Sequence, residues 1–327
     1  MTPKPLMTMV IPVFNGERFL ASAIESVLAQ DFDAYELLIV DDGSTDESCE
    51  VATSYSDPRV RVLSNDQNRG IPETQNRALA EARGKYFGVL DQDDIACPAR
   101  ISRQVELLEE EREVAAVGAW YRAIDDTGGV TGRIKKTPVE YAEIACSLLF
   151  FSAMHQPVVT LRTEVLRRYG YRTRYPVCSD YDLWTRLATD HVVCNLPEVL
   201  AYYRQGSHQT SKRAAQRLAK DTIEIQRRLL CRLGLSPTEE DLSKHFGIPR
   251  KKRFGIHCDV DDSYLGWLSN WFGELVSGND RCGIYEPAVL SRILRSYWRR
   301  MLIRTAREGS VSSTLRYAIR GSAWWGR

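Results

Sequence analysis

Between residues 7 and 90 the chain repeats one pattern: a short apolar run, a polar turn, then a segment of helical spacing. The first run, Met7 to Val13, ends at Pro12-Val13-Phe14-Asn15-Gly16. After it, Phe19, Leu20, Ala23, Ile24, Val27 and Leu28 recur at the steps of a helix over 17–29. The second, Glu36 to Val40, stops at Asp41-Asp42-Gly43-Ser44-Thr45-Asp46, where Gly43 permits a tight turn and Ser44 or Thr45 can cap a following helix. The third, Val60 to Leu63, leads through 65–70 into a helix over 72–82. Strands that are apolar on both faces and alternate with helices specify an α/β fold, a doubly wound, mostly parallel, Rossmann-like sheet. The loops after the first, second and fourth strands then open on one edge.

The fourth run, Tyr86 to Leu90, passes directly into Asp91-Gln92-Asp93-Asp94. Carboxylates at the carboxyl edge of an open α/β sheet stand where such folds bind ligands. Two aspartates one residue apart, with no histidine or cysteine beside them, suit a hard divalent cation that keeps water and bridges phosphate oxygens. An acidic turn of this kind can equally cap or solvate the next helix. A second acidic stretch is Cys178-Ser179-Asp180-Tyr181-Asp182-Leu183-Trp184. As a helix it places Leu183, Trp184 and Leu187 on one face and both aspartates in the first turn, where the dipole favours negative charge. Spacing alone leaves open whether they cap the helix or react.

The run MVIPVFNGERFLASAIESVLAQDFDAYELLIVDDGSTD, followed by NRG, GKYFGVLDQDD and SDYDLWTRLA, resembles a family 2 inverting glycosyltransferase of the GT-A fold. The likeness covers residues 7–211, about two thirds of the chain. It implies a transferase domain over 1–211, with a donor half over about 1–97 and an acceptor half over about 98–211. A helical region with a basic amphipathic tail would follow over 212–327.

The resemblance also implies roles. Pro12, Val13, Phe14 and Glu17 match the loop that holds the nucleotide of the donor, with Phe14 against the base. Asp42 matches the carboxylate that accepts from a uracil ring, and a carboxylate can accept what a uracil or thymine imide donates. Asp91, Gln92 and Asp93 match the Asp-x-Asp motif. Asp91 would face ribose and metal, and Asp93 would bind Mn²⁺ or Mg²⁺, which neutralises the diphosphate of a UDP- or dTDP-sugar. Asp180 matches the general base that takes the proton from the acceptor hydroxyl, with Asp182 as the fallback. Ser179 stands where the family has glutamate. His208 matches a histidine that can touch metal or diphosphate, with Arg204 and Lys212 as counter-charges. His155 is a weaker candidate for the acceptor cleft.

The expected activity is a single sugar transfer to a glycan hydroxyl, as on a lipid-linked precursor of a bacterial surface polysaccharide. The alternatives are a nucleotide-sugar hydrolase and a non-catalytic scaffold that binds nucleotide sugar. Formal net charge of +1 argues against a nucleic-acid binder acting by global attraction. The 8 cysteines are scattered without a C-x-x-C pair, as in a reduced cytoplasmic protein. Neither a signal peptide nor an apolar run long enough to span a bilayer is legible, and the Q-x-x-R-W motif of processive synthases is missing. In the C-terminal part, helices are expected over 212–233, from 237, over 264–276 and over 287–307, with a turn at Ser277-Gly278-Asn279-Asp280. His257-Cys258-Asp259 has metal-capable residues, but three neighbours cannot all face one ion. The last stretch, Arg292 to Arg327, has nine arginines and one acidic residue, Glu308, interleaved with Tyr297, Trp298, Trp324 and Trp325. That pattern suits either an anionic membrane surface or a helix packed on the protein with its arginines in water.

Overall fold

The computed structural model describes residues 4–206, 213–249, 252–253, 256–257 and 261–307. The chain divides into two compact units, one of residues up to 144 together with 153–213, the other of residues 145–152 together with the chain from 214.

The first unit opens with β1 (Met7–Val13), α1 (Glu17–Leu28), β2 (Tyr35–Asp41), α2 (Ser48–Thr53), β3 (Val60–Ser64), α3 (Ile71–Glu81) and β4 (Tyr86–Val89). It continues with β5 (Ile95–Ala96), α4 (Arg100–Glu110), β6 (Val114–Ile124), β7 (Val130–Lys135) and α5 (Tyr141–Ser147), within which the chain passes to the second unit. After its return come a 3₁₀ turn at Gln156–Val158, β8 (Thr160–Arg162), α6 (Thr163–Tyr169), α7 (Ser179–Asp190) and β9 (Val192–Arg204). The strands order β3-β2-β1-β4-β8-β6-β9-β5, with β7 on β6. β1, β2 and β4 are buried along their whole length apart from Pro12, as strands covered on both faces must be.

The expected parallel pairing holds for β3, β2, β1 and β4. Beyond them the sheet is mixed: β8 runs antiparallel to both β4 and β6, while β6 and β9 are parallel. β8 begins only at Thr160, because Gln156-Pro157-Val158 forms the 3₁₀ turn and Pro157 has no N–H to give a ladder. β1 has neighbours on both sides that follow it in the chain, so strand order reverses there. Such a switch point parts the loops after β1 and β4 and opens a crevice at their carboxyl ends.

The second unit is helical, over Ala215–Arg232, Glu239–Gly247, Asp262–Cys282 and Pro287–Arg307, with a two-residue ladder of β10 (Lys252–Arg253) and β11 (Ile256–His257). Thr238 and Asp241 form a capping box at the start of the second helix. The turn expected at 277–280 is helix instead. Gly278 serves contact there, since a Cβ on it would lie 2.7 Å from the Leu233 carbonyl oxygen. The helix stops at Gly283, in the left-handed region at φ 62°, and Asn279 ties it off with bonds to both backbone groups of Tyr285. In the last helix Leu290, Leu294, Tyr297, Trp298 and Met301 are buried in this unit's core beside Phe272 and Leu268. The apolar face that made the segment look membrane-seeking is spent on folding, at least as far as residue 307.

Candidate functional site

The loops after β1 and β2 are stitched together backbone to side chain. The N–H groups of Asn15, Gly16 and Glu17 donate to Ser44 Oγ, Ser48 Oγ and Asp46 Oδ2 at 3.0, 2.8 and 3.1 Å. In return the N–H groups of Thr45 and Glu47 donate to Asn15 Oδ1 and Glu17 Oε2, both at 2.9 Å. Asn15 holds φ 49°, a conformation asparagine tolerates better than most residues. Ser44 therefore anchors the neighbouring loop instead of capping α2, and Glu17 has a structural partner. Pro12 and Val13 close β1, and the next side chain, Phe14, is 42 % exposed at the crevice rim.

Gln92 bridges the crevice. Its Oε1 accepts from the Phe14 N–H and its Nε2 donates to the Phe14 carbonyl. Asp42 sits at the other side of the β1 loop, its N–H on the Val13 carbonyl at 2.7 Å. Its carboxylate is almost wholly buried and gathers the loop 65–70: Oδ1 accepts from Asn65 Nδ2 at 2.6 Å and from the Arg69 N–H at 2.9 Å, Oδ2 from the Gly70 N–H at 2.8 Å. Each carboxylate oxygen can accept two such bonds, which leaves one position on Oδ2.

The acidic turn lies over a buried cation. Arg100 is fully buried at the start of α4 and donates to the carbonyls of Val89 and Pro157 at 2.8 and 2.7 Å. Burial pushes the Arg100 guanidinium down to about 10, opposed by Asp94, Cys97 and Asp91. Burial, then the charges of Asp93 and Asp180, pushes the Asp91 carboxyl up to about 7, with Arg100 pulling the other way. Asp94 is raised well above the usual carboxylate range by burial and by Asp91 and Asp93. Its Oδ1 accepts from the Arg204 N–H at 2.8 Å, and its Oδ2 has no partner. Arg204 is not available as a phosphate counter-charge: it is buried, donates to the carbonyls of Asp93 and Asp125, and lies over the Phe19 ring at 4.4 Å.

Asp180 joins this group from the first turn of α7. Burial pushes its carboxyl up to about 6, eased back by the Tyr181 and Asp180 N–H groups. Tyr171 feels both Asp180 and Asp91. Its hydroxyl accepts from Gln156 Nε2 at 2.9 Å, and Asn76 holds its backbone at N–H and carbonyl. Asp182, the fallback base, is excluded by its partners: it is fully buried and paired with Arg186 at 2.7 Å, while Arg186 also holds the Tyr169 and Gly170 carbonyls. Ser179 is buried beside Asp180.

Residues 8–170 match the family described as Glycosyl transferase family 2. The chain is 30% identical over 218 residues to an uncharacterized glycosyltransferase of Haemophilus influenzae, covering 63% of this chain and 68% of that one. This chain belongs to glycosyltransferase family 2. Amylovoran biosynthesis glycosyltransferase AmsE of Erwinia amylovora is 28% identical over 228 residues, 68% of this chain and 85% of AmsE. The solved structure of S. aureus TarS 1-349 in complex with UDP-GlcNAc superposes with TM-score 0.59 at 16% identity, over 98% of this chain and 92% of that one. The fold is thus that of the GT-A glycosyltransferases, with a helical C-terminal part.

In this family 2 chain, no three His, Cys, Asp or Glu side chains among the described residues converge as a cage for an ion. Asp91 and Asp93 fit the other kind of site, in which one or two carboxylates hold a Mg²⁺- or Mn²⁺-type ion that takes its remaining oxygens from water and phosphate. The strain of like charges at Asp91, Asp93 and Asp94 is what a bound cation relieves. His208, Lys212, Cys258 and Asp259 lie outside the described residues, as does the side chain of His257. His155 stacks on Tyr121 at 4.2 Å and meets Tyr203 edge-on at 4.7 Å, and burial, with Lys135, pushes its imidazole down to about 3. It stays neutral. Arg100, Tyr171 and Asn76 were not picked out by sequence. An arginine two residues after Pro98 and a tyrosine in a polar loop carry no signal of their own.

Proposed function

We propose that the chain is a metal-dependent inverting transferase that moves one sugar from a UDP- or dTDP-sugar to a hydroxyl of a glycan acceptor in polysaccharide assembly. The observation that carries this reading is the convergence of two buried carboxyls, Asp180 from the first turn of α7 and Asp91 from the end of β4, close enough that the Asp180 charge helps to raise Asp91. A carboxylate raised to about 6 is ionised at neutral pH yet more basic than a solvated one. Asp180 takes the acceptor proton as the acceptor oxygen bonds to the anomeric carbon. The bond from that carbon to the diphosphate breaks, and the nucleoside diphosphate leaves from the opposite face, which inverts the centre. Asp91 and Asp93 would hold the divalent ion, whose charge makes the diphosphate a better leaving group.

Asp42, with its remaining Oδ2 position, and Phe14 receive the base, and Gln92 keeps their loop against the diphosphate side. The donor half is 1–97 and the acceptor half 98–211. A nucleotide sugar in the TarS complex and the named pathway of AmsE support donor and acceptor class. Asp180→Asn tests the reading: transfer should fall by about 10²- to 10⁴-fold, with binding of UDP and Mn²⁺ retained. A scaffold would lose nothing, and full activity in this variant would sink the proposal.

A further inference from the structure

Tyr171, buried to 3 % exposure, is pinned from three sides. Arg186 of α7 holds the carbonyls of Tyr169 and Gly170, just ahead of it, at 2.9 and 2.7 Å. Asn76 of α3 pairs with both backbone groups of Tyr171 itself, at 2.9 Å to the N–H and 2.7 Å to the carbonyl. Gln156 Nε2 then donates to the phenol oxygen at 2.9 Å. A phenol that accepts in this way still has its own proton to give, and the charges its hydroxyl feels are those of Asp180 and Asp91. Burial, reinforced by these two carboxylates and opposed by the bond from Gln156, keeps the phenol protonated far above neutral pH. Among the described residues neither carboxylate is hydrogen-bonded to it, Asp180 taking backbone N–H groups instead.

We propose that the Tyr171 hydroxyl is a specificity-determining donor to the transferred sugar, binding an oxygen of an uncharged ring seated between Asp91 and Asp180. This rests on the transferase reading above, in which the sugar lies between the diphosphate end at Asp91 and the base at Asp180. Gln156 fixes the polarity of the contact: the phenol oxygen is already accepting, so Tyr171 gives its proton to a hydroxyl or acetamido oxygen of the ring. The cations of the acidic turn do not compete for that role, because Arg100 and Arg204 are spent on backbone carbonyls. Carboxylates on both sides repel a uronate, which leaves a neutral hexose as the class of sugar that fits.

The test is titration calorimetry of the full chain with Mn²⁺ present, for wild type, Tyr171→Phe and Gln156→Met. The probes are UDP and dTDP, their glucose, galactose and N-acetylglucosamine conjugates, and UDP-glucuronate. In wild type at least one neutral conjugate should bind more tightly than its free nucleotide, and UDP-glucuronate should not. Tyr171→Phe should bind the free nucleotide as wild type does and lose about fivefold in affinity for that conjugate, the worth of one neutral hydrogen bond. Gln156→Met keeps the phenol but frees its orientation, so it should lose less in the same direction. Equal affinity of Tyr171→Phe and wild type for the conjugate would overturn the proposal, even with transfer slowed, because the hydroxyl would then act on Asp180 alone. A parallel loss for free nucleotide and conjugate would overturn it too, as the mark of a purely structural tyrosine. So would a preference for UDP-glucuronate, or a free nucleotide held as tightly as every conjugate. A folded wild type that binds neither nucleotide in any form would instead sink the transferase reading, and this proposal with it.

Discussion

The side-chain amide of Gln92 closes on the backbone of Phe14, accepting its N–H at 2.8 Å and donating to its carbonyl at 3.2 Å. This contact crosses the switch point and ties the loop after β1 to the acidic turn. Two neutral hydrogen bonds are worth ~1 kcal/mol each, so Gln92→Ala should weaken UDP binding roughly tenfold by calorimetry while leaving the fold intact.

Gly16→Ala should reproduce that effect from the other side. A Cβ at Gly16 would lie 2.5 Å from the Gln92 amide, which is the movable end of a side chain, so the amide yields and the clasp opens. Nucleotide affinity should drop with little change in thermal stability. If Gly16→Ala binds UDP as wild type does, the amide clasp does not position the loop.

The elevated Asp180 carboxyl sets a pH dependence. For the reaction, the rate should fall as pH drops through about 6, because the base becomes protonated. For stability the sign is opposite to that of a salt-bridged aspartate. The folded chain holds the proton more tightly than the unfolded one, so this contribution is full below the ordinary aspartate range near pH ~4 and is lost as pH rises through about 6. Asp180→Asn should thus melt higher than wild type at pH 8, with the difference closing towards pH 4. Parallel melting curves at all pH values would contradict the desolvation that raises this group.

Arg100→Met removes the cation beneath the turn and strands the Val89 and Pro157 carbonyls. Unfolding in urea should reveal a loss of about 3 kcal/mol or more, the cost of leaving buried charges and acceptors uncompensated.

Gly278→Ala addresses the helical unit. The added methyl meets backbone at Leu233, which cannot swing aside, and overpacking of this kind costs about 1–3 kcal/mol. A variant as stable as wild type in urea would mean that the helix shifts freely.

These predictions rest partly on what the sequence displays and partly on what it hides. β1, β2 and β4 are readable because apolar residues fill both faces, and the positions of Asp91, Asp93 and Asp180 at a strand end and a helix start are readable too, whereas their roles are suggested by the family resemblance and not by spacing. Arg100 is hidden, because an arginine in a helix looks solvent-facing until distant carbonyls surround it. Tyr171 is hidden because its register depends on Asn76, 95 positions earlier. Gly278 misleads, since a glycine between Ser277 and Asn279 reads as a turn when its purpose is to let Leu233 approach. Sheet pairing after β4 was illegible for a related reason: β8 is three residues behind a 3₁₀ turn, and the long strands β6 and β9 take their direction from partners distant in the chain, which periodicity does not announce.

The reciprocal stitching of residues 15–17 to residues 44–48 carries a consequence for descent. Each backbone N–H from 15 to 17 is answered by a side chain in the other loop, and a backbone donor stays in place whatever residue carries it, so no change at Asn15 or Glu17 short of proline can make up for losing Ser44, Asp46 or Ser48. Across related chains the two segments should therefore each keep their own acceptors independently, even where the sugars handled by their owners diverge.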